Sequence, residues 1–216
     1  NLLKKSGIRL LYDEDVDANY YINGDRHRMK QVFLNILDNA AKYGGDGAMV
    51  WIDAHPDITL PGDPYPGYHA MAVTACMGHG DAKIVAELPA AFDPSKILFV
   101  GVRNWERGEI KARQHQYGIK HLTPEEVAAD SDALRAWLKS CGASKVVVHF
   151  DMDVLDPAEI VAAVGTDPDG MKIEAVIRVI NDIAAEKELV GLTVAEPMPR
   201  TAIRLRDMLG RLPLLE

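Results

Sequence analysis

The 216-residue sequence has little cysteine and no long apolar run. Its two cysteines, Cys76 and Cys141, are too few for a disulfide-linked scaffold and favour a reducing compartment, so we expect a cytoplasmic protein. No apolar run approaches the roughly 18 to 20 residues that cross a bilayer, and the first residues lack the apolar stretch of a secretory signal. We therefore expect neither a membrane span nor secretion.

Positive charge is also scarce, because 24 lysine and arginine residues stand against 32 aspartate and glutamate residues, for a formal net charge of −8. An acidic surface opposes binding to the phosphates of nucleic acid and to anionic lipid. We expect neither nucleic acid nor a membrane as a partner, and a small molecule is favoured instead. The chain length and the 48% of hydrophobic residues are typical of one substantial core.

Four short apolar runs, separated by stretches of helical periodicity, indicate an α/β fold. Near-continuous β-branched runs are typical of strands covered on both faces, and their alternation with helices predicts a three-layer sandwich with a mostly parallel sheet. In such folds chemistry gathers at the carboxyl ends of the strands. The predicted strands are residues 48–52, 96–100, 145–150 and 189–194, and the predicted helices are residues 70–77, 124–140 (capped by Thr123) and 173–187.

Two of these strands lead directly into clusters of carboxylates. The clusters are Asp53-Ala54-His55-Pro56-Asp57 after the first strand and Asp151-Met152-Asp153-Val154-Leu155-Asp156-Pro157 after the third. Residues i and i+2 of an extended segment share a face, so each cluster can direct two side chains at one point. Converging carboxylates repel unless a cation neutralises them, and oxygen ligands with one imidazole favour an ion such as Mn²⁺. The alternative is that these aspartates cap helices or close turns.

Both clusters resemble the signature motifs of the ureohydrolase superfamily, which includes the arginases and agmatinases. The resemblance extends from about residue 42 to the end of the sequence. It implies an arginase-like fold that lacks the family's first strands on its N-terminal side. It also implies hydrolysis of a guanidino or amidino C–N bond by hydroxide held at a binuclear manganese centre, where bound water loses a proton near neutral pH.

The resemblance assigns the metal ligands one by one. Asp53 and Asp151 would bridge the two ions. Asp57 would complete one ion's ligands, and His55 with Asp153 would complete those of the other. Two Mn²⁺ ions are therefore the expected cofactor.

The resemblance also assigns residues to the substrate. His69, in the stretch Gly67-Tyr68-His69, would be a catalytic proton shuttle. Glu196, in Thr193-Val194-Ala195-Glu196-Pro197, would form an ion pair with the guanidinium group. Glu106 is expected as a second substrate contact, and Asp156 as a structural residue.

One family motif, Gly-Gly-Asp-His, has no counterpart before Asp53, and the metal ligand that it supplies is missing. His27 is one candidate substitute, and a solvated histidine in the first turn of a helix is the alternative. Without the ligand, one ion should bind more weakly. The stretch of residues 64–68 also departs from arginases, so arginine and other guanidino or amidino compounds stay open as substrates. The histidines expected to be surface or core residues are His79, His115, His121 and His149.

The front of the chain has a different character. Residues 8–23 predict two short strands, and Asp25 begins a predicted helix that ends at Gly44. This segment resembles the ATPase domain of sensor histidine kinases, in which Asn35 and Asn39 would contact Mg-ATP. Because the glycine-rich motifs that should follow are absent, no competent ATP site is expected. The sequence thus predicts a kinase-like unit over residues 1–43 and an arginase-like domain over residues 44–216.

Three functions follow from these patterns. The first is a manganese-dependent hydrolase of a small guanidino or amidino substrate, which can form a homo-oligomer. The second is a chimeric or truncated relative that binds metal without catalysis. The third is a nucleotide-binding signalling fragment, a hypothesis for which the evidence is a single helix.

Overall fold

The structure, a computed structural model, describes residues 47–65, 67–86, 88, 90–198 and 202–215. The strands expected over residues 8–23, the helix after Asp25 and the candidate ligand His27 lie outside these residues. The kinase-like unit of residues 1–43 lies outside them too, so the division into two units stays a prediction.

Five parallel strands form one sheet in the described part of the chain, in the order β3-β2-β1-β4-β5. They are β1 (Ala48–Ile52), β2 (Ile97–Val100), β3 (Lys120–Leu122), β4 (Lys145–Asp151) and β5 (Glu188–Ala195). Four of them coincide with the predicted apolar runs, and β1 has the predicted bounds. β3 falls outside the predictions because it is three residues long and begins with two polar side chains.

The described helices are α1 (Ala72–Cys76), α2 (Ala82–Val85), α3 (Gly108–Tyr117), α4 (Asp132–Ser140), α5 (Ile173–Glu186) and α6 (Ala202–Leu209). Short 3₁₀ turns cover His69–Met71, Pro94–Lys96 and Met152–Val154. α5 matches its prediction closely. α3 was not predicted because it buries only Ile110 and Gln114 and has no apolar stripe. None of the described helices has the length and apolar composition needed to cross a bilayer.

The prediction of a helix from residue 124 is wrong for its first eight residues. Thr123 and Glu126 do form a reciprocal capping box, with backbone N–H groups donating to the partner side chains over 2.8 and 3.4 Å. The following residues nevertheless form turns. Arg178 of α5 donates a hydrogen bond to the carbonyl of Val127, so a distant side chain satisfies a group that a helix would have paired internally.

Apolar side chains cover both faces of the sheet. On one face, Ile52 and Phe150 belong to a core cluster shared with α4, α5 and α6. On the other face, Trp51 and Phe99 pack with α1 and α3. β1 and β2 are buried along their whole length, as their continuous apolar runs predicted. This arrangement confirms the three-layer α/β sandwich.

The strand order places a switch point at the centre of the sheet. From β1 the chain adds β2 and β3 on one side and then returns to add β4 and β5 on the other. The crevice between the carboxyl ends of β1 and β4 is therefore where a parallel sheet opens to a ligand. Asp53 and Asp151 stand at this crevice.

Candidate metal centre

The two carboxylate clusters lie side by side because β1 and β4 are hydrogen-bonded neighbours in register. Ile52 pairs with Phe150, so Asp53 and Asp151 follow at the ends of adjacent strands. The Asp53 N–H donates to the carbonyl of Val100 over 3.1 Å, which fixes the start of the loop. Asp53 is 2% exposed and Asp151 is 8% exposed.

Hydrogen bonds join the two clusters directly. Asp153 accepts from the Ala54 N–H over 3.0 Å, and its other oxygen lies 2.8 Å from His55 Nδ1. Asp53 accepts from the Trp51 indole over 3.0 Å and from the His55 N–H over 2.6 Å. The pairing of β1 with β4 thus brings both motifs to one point, although Asp153 lies in a 3₁₀ turn and not in the extended segment that the sequence predicted.

Donor atoms converge in three overlapping groups, within each of which the ligand atoms lie within 4.8 Å of one another. The groups are Asp53 with His55 and Asp153, Asp53 with His149 and Asp151, and Asp151 with Asp153 and Glu196. Carboxylates combined with imidazole are the ligand set that Mn²⁺ and similar divalent ions accept. The donors therefore fit a divalent metal, and the sharing of Asp53 and Asp151 between groups suits two adjacent ions.

His149 also belongs to this cluster, although its expected place was at the surface or in the core. Its ring stacks on Trp51 with centroids 3.7 Å apart, and its Nδ1 lies 2.8 Å from the hydroxyl of Thr193 on β5. Burial lowers the pKa of His149 to about 3, so the ring is neutral near pH 7. The signal that could have found it is its i−2 spacing from Asp151, which puts both side chains on one face of β4.

Crowded negative charge dominates the electrostatics of the centre. Burial, reinforced by neighbouring carboxylates, raises the pKa of Asp53 to about 7 and that of Asp151 to about 8, although hydrogen bonding with His55 offsets part of the rise at Asp53. For Asp57, burial and the charge of Asp53 raise the pKa well above its ordinary value. A nearby cation would stabilise the ionised form of each of these carboxylates and so lower its pKa.

His55 and Asp153 behave as an ion pair within this cluster. Burial disfavours the charged imidazole, but hydrogen bonds with Asp153 and Asp53 outweigh it and raise the pKa of His55 to about 11. Burial likewise opposes ionisation of Asp153, yet the hydrogen bond with His55 is strong enough to lower the pKa of that carboxyl. In the absence of metal, the imidazolium supplies the local positive charge.

Three of the predicted site residues have left-handed backbone conformations, which are uncommon outside glycine. Their φ angles are 47° at Asp57, 56° at Glu106 and 58° at Glu196, and each residue lies in the segment after a strand. Such conformations cost free energy and concentrate where a site requires an unusual side-chain direction. Glu196 is exposed and belongs to the third donor group, whereas Asp57 and Glu106 belong to none of the three.

His69 lies on an exposed turn, outside all three donor groups. Its Nε2 is 3.2 Å from the hydroxyl of Tyr65. Gly67 allows this pairing, since a Cβ there would lie 2.7 Å from the Tyr65 ring and 2.8 Å from the His69 ring. The imidazole is held by this pair at the surface, and its role as a proton shuttle stays a prediction.

Arg103 and Asp167 organise the centre, although no sequence pattern indicated a role for them. All five N–H groups of the Arg103 guanidinium donate to backbone carbonyls, including those of Asp153 and Asp167, over 2.8 to 3.3 Å. The Asp167 carboxylate lies 3.3 Å from His55 Nε2 and accepts from the Asn104 amide over 2.8 Å. A carboxylate on the far side of an imidazole orients it for coordination. Asp156, by contrast, pairs with Lys172 and accepts from the Ala158 N–H, as expected of a structural residue.

Comparison with known proteins decides the family. The sequence model of the arginase family matches residues 30–207. The chain belongs to the arginase family. An arginase from Entamoeba histolytica is 29% identical over 211 residues, covering 93% of this chain and 71% of that protein. The N(omega)-hydroxy-L-arginine amidinohydrolase of Streptomyces lavendulae is 30% identical over 171 residues, covering 76% of this chain and 56% of that enzyme.

The fold agrees with the family. The crystal structure of arginase from Bacillus cereus superimposes with a TM-score of 0.71 at 20% identity, covering 84% of this chain and 67% of that structure. The arginase-like fold expected from the sequence is therefore confirmed. The family match begins inside the stretch that resembles a sensor kinase, and that second resemblance stays a prediction.

Proposed function

We propose that this member of the arginase family is a manganese-dependent hydrolase that cleaves a guanidino or amidino C–N bond. The observation that carries the proposal is the pair of donor groups that share Asp53 at the ends of two adjacent strands. Water adds to the central carbon of the substrate, the C–N bond to the substrate's amine breaks, and the products from a guanidino compound are urea and an amine.

The ions would be held by residues of both clusters. His55 and Asp153 would hold one ion, Asp57 would complete the other, and Asp53 and Asp151 would contribute to both. Bound manganese would supply positive charge that activates water and stabilises negative charge on the reacting carbon. The chain's own contribution is to fix these donors, through the strand register and through the hydrogen bonds of His55.

Glu196 would bind the substrate cation. Its carboxylate is exposed, and one oxygen lies within 4.8 Å of ligand atoms of Asp151 and Asp153. A planar guanidinium matches a carboxylate with two parallel hydrogen bonds, so Glu196 would hold the substrate beside the metal ligands. We assign His69 the donation of a proton to the departing amine and Glu106 a further substrate contact.

The proposal is tested by assaying the Mn²⁺-loaded protein for urea release from arginine, agmatine and guanidinobutyrate, for hydroxyurea release from N(omega)-hydroxy-L-arginine, and for formamide release from formiminoglutamate. Turnover of at least one is expected. Glu196→Gln should lower kcat/KM by about 100-fold or more, because the neutral amide loses the charged pair. Glu188→Gln is the matched control, since Glu188 is exposed at the opposite end of β5.

If the protein binds Mn²⁺ but releases no product from any of these substrates, the proposed hydrolase activity is wrong. This result would favour the second function, a relative that binds metal without catalysis.

A further inference from the structure

We infer that His149 is a metal ligand in this chain and that it supplies the imidazole of the second ion position. The inference rests on the proposed metal-dependent function. One nitrogen of the His149 ring and one oxygen each of Asp53 and Asp151 lie within 4.8 Å of one another. The position is thus built from the two shared carboxylates and a second imidazole, and it does not use His55.

The location of His149 follows from the sheet. His149 is two residues before Asp151 on β4, so both side chains project from the same face. In the parallel register His149 pairs with Trp51, whose indole N–H donates to Asp53. The two rings stack with their centroids 3.7 Å apart and their planes inclined by 15°.

A hydrogen bond also orients the ring. His149 Nδ1 lies 2.8 Å from the hydroxyl of Thr193, its partner on β5 in the register. Metal-binding imidazoles are typically held by such a bond from the other ring nitrogen, which fixes the tautomer and the ring plane. Trp51 on one side and Thr193 on the other therefore hold the ring beside Asp53 and Asp151.

This arrangement resolves a discrepancy in the ligand count. The sequence has no Gly-Gly-Asp-His motif, so the ion position away from His55 lacks its expected imidazole. With His149 included, each group that contains Asp53 has one imidazole. His27 is the rival candidate, and it lies outside the described residues.

The first test is metal content, measured by elemental analysis after gel filtration of Mn²⁺-loaded protein. We expect two equivalents for the wild type and one for His149→Asn, with an affinity for the second ion at least about 100-fold weaker. Thr193→Val should lower the affinity for that ion by roughly 10-fold, because it removes only the hydrogen bond that orients the His149 ring. His121→Asn is the matched control, since His121 pairs with Gln114 and belongs to none of the donor groups. Circular dichroism of the metal-free variants checks that each one folds.

A spectroscopic test identifies the ligand directly. Pulsed electron paramagnetic resonance of bound Mn²⁺ detects coupling to imidazole ¹⁴N. In His55→Asn the coupling should persist, because His149 remains, and in the double variant with His149→Asn it should vanish. Coupling that survives in the double variant would overturn the inference and point to His27 or another histidine.

The outcomes separate this inference from the proposed function. If His149→Asn keeps two tightly bound ions and hydrolyses its substrate, the inference is wrong and the hydrolase stands. If His149→Asn loses one ion but the wild type hydrolyses no substrate, the ligand is established and the hydrolase is wrong. A wild type that binds no Mn²⁺ overturns both.

Discussion

The clustered carboxylates predict that the metal-free protein loses stability as the pH rises from about 7 to 8.5. In the folded state the pKa of Asp53 is about 7, that of Asp151 about 8 and that of His55 about 11. In the unfolded chain these groups return to ordinary values of 3.8 and 6.5, so they release their protons below this range. The folded state therefore binds more protons, and the free energy of unfolding falls with increasing pH.

The magnitude follows from the number of extra protons. Over this range the folded state retains between about one and two protons more than the unfolded chain, and each contributes about 1.4 kcal/mol per pH unit. The expected loss is therefore about 2 to 4 kcal/mol. His149 does not contribute, because its folded pKa of about 3 and its ordinary value of 6.5 both lie below the range.

The assay is urea denaturation of chelator-treated protein at several pH values, followed by fluorescence of the tryptophans. Adding Mn²⁺ at pH 8.5 should restore the lost stability, because the cation favours ionised carboxylates. Asp151→Asn should flatten the pH dependence, since it removes one of the groups that titrate in this range. A free energy of unfolding that stays constant or rises from pH 7 to 8.5 would refute the reasoning.

Three further predictions concern Arg103 and Gly101 beside the centre and an ion pair of Asp63. Arg103→Lys should lower the free energy of unfolding by about 2 to 4 kcal/mol and reduce the Mn²⁺ content, because lysine cannot serve all five carbonyls; unchanged metal content would contradict its positioning role. Gly101→Ala should lower the free energy of unfolding, measured by urea denaturation, by about 2 to 4 kcal/mol. The φ of Gly101 is +89°, and the new Cβ would lie 2.3 Å from Val154 in the turn after β4. Gly62→Ala, with φ +94° and open space, is the control and should cost about 1 kcal/mol. Asp63→Asn should lower the free energy of unfolding by about 1 kcal/mol at pH 7, because Asp63 pairs with Arg113 over 2.6 and 3.1 Å. This pairing lowers the pKa of Asp63, so the difference between variant and wild type should disappear as the pH falls below 3.8.

Local patterns sufficed for the central strands and for the location of most of the candidate donors. β1 has its predicted bounds because a short continuous apolar run is typical of a strand covered on both faces. The sequence placed Asp53, His55 and Asp153 after strand ends, but their convergence depends on the pairing of β1 with β4, and Asp153 lies in a 3₁₀ turn rather than in an extended segment. The predicted Asp57 and Glu106 are held in left-handed conformations, and no local pattern in the sequence indicated this strain.

Local sequence patterns do not predict helices whose position depends on distant contacts. α3 is polar, and its place is set by a few buried side chains that pack against the sheet. The segment after Thr123 has a good capping box, yet it forms turns, and Arg178 of α5 donates hydrogen bonds to the carbonyls of Val127, Ala128 and Asp130. A helical periodicity of about 3.6 residues does not predict a contact with a residue about 50 positions away in the sequence.

The sequence by itself determined the α/β class, the central strands and the two motifs at their ends, because alternation and apolar runs act over a few neighbouring residues. Only the tertiary structure decided that β4 lies between β1 and β5. That order brings His149 between Trp51 and Thr193 and joins Asp167 to His55. Strand order depends on which faces pack best across the whole sheet, and no local pattern carries that information.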